Sequence, residues 1–109
     1  MWQLARHATA AEDAKDYEKA LKFYRTMALA APKRPIGPRK GCDMLIKLGR
    51  TLEAEEPCRA VLPREEVNVH DFRRWLKLVA REATKVPREV LDYAREAIAH
   101  LYDQPGGEI

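Results

Sequence analysis

The chain has 109 residues, 46% hydrophobic and 34% charged, with a formal net charge of +3. That balance belongs to a soluble folded domain rather than a disordered tail, and no apolar run approaches the roughly 18 residues of a membrane span. With only five glycines and few β-branched runs, a sheet is disfavoured; the length suits one domain, 1–109, that buries about two thirds of its unfolded surface.

Residues 2–31 are helical in pattern. Leu4, Ala8 and Ala11 share a stripe, continued by Tyr17, Ala20, Leu21, Tyr24 and Ala28 at three- and four-residue steps. One rod, or two helices parted near Ala14 with Asp16 as the second cap, both fit, because alanine suits either. Three prolines and two glycines over 32–41 predict a loop. A third helix is expected over about 41–55, with Leu45, Leu48 and Leu52 inward and Pro57 as its stop, followed by a short turn over 58–62. Asn68 reads as the N-cap of the next helix, with Asp71 completing a box-like arrangement. That helix has Phe72, Trp75, Leu76, Val79 and Ala83 as its core stripe. Pro87 suits the first turn of a last helix, which turns Val90, Leu91, Ala94, Ile98 and Leu101 inward and ends at 105–107. The sum is an all-α fold, a compact bundle of about five helices.

Cys42 and Cys58 enclose fifteen residues and form no C-x-x-C pair. This spacing matches no usual zinc signature and requires no disulfide, so a reducing, cytoplasmic compartment is the default. Residues 1–7 do not read as a signal peptide. The abrupt helical start fits both a free-standing protein and the tail of a larger one. There is no phosphate-cradling glycine loop, no carboxylate cluster of metal-binding kind and no serine at all. No catalytic residue, metal or cofactor is therefore expected.

Charge is the strongest signal. Over 32–52, Lys33, Arg34, Arg39, Lys40, Lys47 and Arg50 face one acid, Asp43, for +5. Over 72–90, Arg73, Arg74, Lys77, Arg81, Lys85 and Arg88 face Glu82 and Glu89, for +4. Between them, 53–71 holds six acids and two arginines. Arg74, Lys77, Arg81 and Lys85 make a stripe roughly opposite the apolar one. Segregated positive charge releases counterions from a nucleic-acid backbone, and guanidinium forks suit phosphate oxygens. The expected partner is RNA or DNA, bound at Lys33, Arg34, Arg39, Lys40, Lys47, Arg50, Arg73, Arg74, Lys77, Arg81 and Lys85 through its phosphates rather than its bases. The competing account is a solvated helix face.

Three family resemblances bear on this. Asp16-Tyr17, Ala20-Leu21 and Tyr24 resemble the first hairpin of tetratricopeptide repeats and MIT domains, which implies a protein-interaction module; the 34-residue period does not recur. Arg95, His100 and Tyr102 resemble the R-x4-H-x-Y pattern of HEPN ribonucleases, with Glu96 where asparagine is usual, which implies RNA cleavage. The succession of Phe23-Tyr24-Arg25, the basic proline segment into Cys42-Asp43-Met44-Leu45, Asp71-Phe72 and the final Ile98 to Tyr102 looks like the helical small-subunit region of RNA-guided CRISPR effectors. The likeness is greatest to the C-terminal segment of the type I-D large subunit and covers about residues 17–103. It implies a non-enzymatic subunit in antiviral defence, present in several copies, that contacts target or guide strand and neighbouring subunits.

Overall fold

The computed structural model describes residues 2–63 and 69–103, and the side chains of 3–63 and 69–99. Among these residues there are six helices and no strand: α1 Trp2–Asp13, α2 Tyr17–Ala30, α3 Ile36–Lys47, α4 Thr51–Ala60, α5 Val69–Arg81 and α6 Arg88–Asp103. The extensive packing runs between helices consecutive in the chain, α1 on α2, α2 on α3, and so on to α6. No helix among the described residues is long and apolar enough to cross a membrane.

The N-terminal segment is two helices, as Asp16 allows. Its carboxylate accepts the Lys19 N–H at 3.2 Å, and Lys15 takes a positive φ of 60° to turn the chain. Ala8, Ala11, Ala20, Leu21 and Tyr24 are buried. Small residues bring α2 and α3 together. A Cβ on Gly37 would stand 2.7 Å from the Ala28 backbone, closer than such atoms can approach.

The loop expected over 32–41 is shorter, because α3 begins at Ile36 and carries Gly37, Pro38 and Gly41 within it. Pro38 falls in the first turn, where its missing N–H has no intrahelical acceptor to lose. The helix expected over 41–55 is divided by Gly49. This residue has φ of 75°, and the Gly49 and Arg50 N–H groups bond to the Ile46 and Leu45 carbonyls at 3.0 and 2.8 Å, a Schellman closure that stops α3. Pro57 does not stop the next helix but lies inside α4. The Glu53 carbonyl there lacks its usual donor, while Ala54 and Cys58 on either side are buried and anchor the helix. Leu52 is 45% exposed, and Ala83 falls in the turn beyond α5. Leu78 occupies the α5 core position instead, with Trp75 and Val79. Ile98 is also exposed, because α6 packs on α5 alone among the extensive helix contacts. Asn68, residues 64–66 of the acidic stretch 53–71, the Leu101 side chain and the 105–107 stop lie outside the described residues.

Cys42 of α3 and Cys58 of α4 form a disulfide with Cα atoms 5.0 Å apart. The sequence spacing required no such bond. It arises because the Gly49 turn folds α4 back onto α3, a reversal that the third helix read as continuous over 41–55 conceals.

Candidate nucleic-acid interface

α5 is strongly amphipathic. At about 100° per residue, Arg73, Lys77, Arg81 and Arg74 fall within an arc of about 100°, and Trp75, Leu78 and Val79 occupy the inner side. Lys85 follows in the turn after the helix. Arg73, Lys77, Arg81 and Lys85 are exposed, as are Lys33 and Arg34 in the turn before α3. None of these six pairs with a carboxylate among the described residues.

The remaining five expected contacts are engaged with acids. Arg39 donates from Nε to Asp71 Oδ1 at 3.0 Å and from Nη2 to Oδ2 at 2.8 Å, and Arg74 Nη2 lies 3.5 Å from the same Oδ1. Asp71 is only 3% exposed, so this bidentate pair joins α3 to α5 with its carboxylate buried and the Arg39 side chain partly exposed. Lys40 and Lys47 approach Glu12 Oε2 at 3.4 and 3.8 Å, and Lys47 also stands 5.3 Å from the Tyr17 ring centre. Burial works to raise the Glu12 pKa, yet the Tyr24 hydroxyl and the two lysines together hold it below its ordinary value. Burial and the Glu12 carboxylate push Tyr24 up to about 12. Arg50 donates to Glu53 at 2.7 Å and to Glu18 at 3.0 Å. The Glu53 hydrogen bond raises the arginine's pKa and lowers that of the glutamate. Five of the eleven cations thus have a carboxylate partner and six have none among the described residues.

A second buried acid supports α5 from beneath. Glu55 accepts the Trp75 indole N–H at 2.8 Å and the Arg59 Nε at 2.7 Å, which fixes the helix's rotation on α4. Arg74 Nε is buried with no hydrogen-bond partner among the described residues.

Beside α5 lies a groove of about 220 Å³ lined by Ile46, Thr51, Arg74, Lys77, Leu78 and Arg81. Three of the expected cations thus converge, while Lys33, Arg34, Arg73 and Lys85 are not among the groove's lining residues. The Thr51 hydroxyl donates to Glu82 at 2.5 Å, which ties the start of α4 to the end of α5. Sequence reasoning missed Ile46, Thr51 and Leu78; the Gly49 stop signal, which sets a new helix start at Thr51, would have found the first two. A larger groove of about 450 Å³ between α2, α3 and α4 has a rim of mixed sign, Arg25 with Glu53 and Glu56, and so favours neither charge.

Of the residues behind the other resemblances, Leu21 and Tyr24 are buried, and Arg95 is exposed on α6. The His100 and Tyr102 side chains lie outside the described residues. Among the described residues no group of three or more His, Cys, Asp or Glu could hold a metal ion. No family model, no curated protein and no solved structure matches the chain.

Proposed function

We propose that this chain binds the phosphate backbone of a nucleic acid through the outer face of α5, as a subunit with no catalytic step of its own. One observation carries the reading: Arg73, Lys77, Arg81 and Lys85 stand exposed on or just after one rigid helix, with no ion pair among the described residues. Helix faces of this composition are usually laced with acids at three- and four-residue spacing; here such pairing is confined to Arg74 with Asp71. Lys33 and Arg34 form a separate, smaller contact. Arg39, Lys40, Lys47 and Arg50 hold helices together and are removed from the binding set.

The CRISPR small-subunit resemblance supports the finer reading. On it, the chain sits in several copies along an RNA-guided effector and steadies target or guide strand. Disulfides persist chiefly in oxidising compartments, so the Cys42–Cys58 bond takes away the argument for a reducing one. Cytoplasmic placement then rests on the resemblance.

The test is a triple charge reversal, Arg73→Glu, Lys77→Glu and Arg81→Glu. It should lower affinity for a single-stranded oligonucleotide by about 100-fold or more at low salt. For about four phosphate contacts, the wild-type log affinity should fall with log salt at a slope of about −3. Lys40→Gln with Lys47→Gln is the control and should leave affinity within about twofold, since Glu12 and Asp43 already offset their charge. Unchanged binding by the helical triple variant would sink the proposal.

A further inference from the structure

We infer that the groove beside α5 seats one unpaired base while the cations around it hold the neighbouring phosphates, so that the ligand is a single strand rather than a duplex. The inference rests on the backbone-binding reading and deepens it. Two chemistries meet in the groove. Its floor is apolar, made by Ile46 of α3 and Leu78 of α5, and its rim is cationic, made by Lys77 and Arg81 with the Asp71-paired Arg74 beside them. The methylene stems of those three side chains extend the apolar wall up to the charged heads. A site for phosphate alone has no use for such a floor, and a purely apolar ligand has no use for such a rim. A nucleotide in a strand presents both a flat, poorly hydrated ring and a charged linkage on each side.

Size narrows the occupant. The groove's volume of about 220 Å³ lies below the roughly 300–1,000 Å³ of ordinary ligand clefts. It suits a single ring system entering from a strand that continues over the surface. No aromatic platform is required, because arginine guanidinium planes stack on bases as aromatic rings do, and Arg74 and Arg81 stand on its walls. Glu82, the nearby acid, accepts the Thr51 hydroxyl and keeps its negative charge, which the cations around the groove outnumber. A duplex keeps its bases stacked within and would meet the rim alone. Stacking tolerates any base, so the groove distinguishes unpaired from paired strands without reading sequence.

Fluorescence anisotropy of the wild-type protein with three probes of equal length decides the matter: oligothymidylate, the same backbone carrying abasic residues, and a duplex. Thymidylate should bind about tenfold tighter than the abasic strand, the range expected for loss of base stacking, and tighter than the duplex. Ile46→Ala, its fold checked by circular dichroism, should bring thymidylate affinity down towards that of the abasic strand and leave the abasic strand unaffected. Equal, salt-sensitive binding of thymidylate and abasic strands would overturn the base seat and leave the backbone reading standing, as would a preference for duplex. Failure of all three probes to bind would overturn both.

Discussion

The two basic stretches carry nearly equal charge, +5 over 32–52 and +4 over 72–90, and end in different surroundings. In the first, four of six cations meet carboxylates, and most of those come from distant helices: Glu12 of α1, Glu18 beside the start of α2, and Asp71 of α5. In the second, only Arg74 is held, and the rest stand in solvent. The excess charge of a segment counts its own residues. What decides its availability is which acids the fold delivers to it: α1 delivers Glu12 to Lys40 and Lys47 of α3, and α2, packed closely on α3, delivers Glu18 to Arg50 just before α4. α5 contacts α4 and α6, and the α4 acid that bonds to it, Glu55, does so through Trp75 and is shared with Arg59.

Asp71 is the most direct way to break this contrast. Asp71→Ala removes the buried carboxylate that Arg39 and Arg74 share. Taking one partner from a buried ion pair costs about 3–5 kcal/mol, measurable by urea unfolding. The same change should raise single-strand affinity in whatever fraction stays folded, because two guanidiniums lose their internal partner. Lower affinity with retained fold would contradict the division between structural and binding cations.

Gly37→Ala probes the close approach itself. A methyl group there would meet Ala28 backbone atoms at 2.7 Å, and overpacking of this kind costs about 1–3 kcal/mol. Thermal unfolding should report the loss, while α5 binding stays at the wild-type level.

The smallest effect belongs to Glu12. Its pKa is lowered in the folded protein from an ordinary value of 4.5. Its contribution is thus fully present above that ordinary value and lost as pH falls through the lowered one. Glu12→Gln should cost about 1 kcal/mol at neutral pH and flatten the acid limb of the stability curve. An acid limb identical to wild type would show that the Lys40 and Lys47 pairing does not hold in solution.

Helical class and the inward residues of α2 are legible from period, because each is decided within a few residues, whereas the break before Asp16 is one of two readings that the alanines leave open. Two features escape for a shared reason. Pro38 and Pro57 read as breakers, yet one lies in a first turn and the other in a helix fastened on both sides, and neither context is local. The amphipathic stripe of α5 takes in Lys77 and Arg81, which are exposed, but also Arg74, half-buried against Asp71, and Lys85, beyond the helix end. An acid within an apolar stripe, Asp71 four residues before Trp75, was the available sign that an arginine from elsewhere must reach it. No local pattern could assign Arg39 to that role across 32 positions of sequence.

The Cys42–Cys58 bond encircles the Gly49 turn. A protease that nicks the chain after Arg50 would therefore leave a single molecule, still running as one band without reductant and as two pieces with it. Ile46 and Thr51, which lie inside that ring on opposite sides of the nick, would stay tethered as neighbours after the peptide between them is cut.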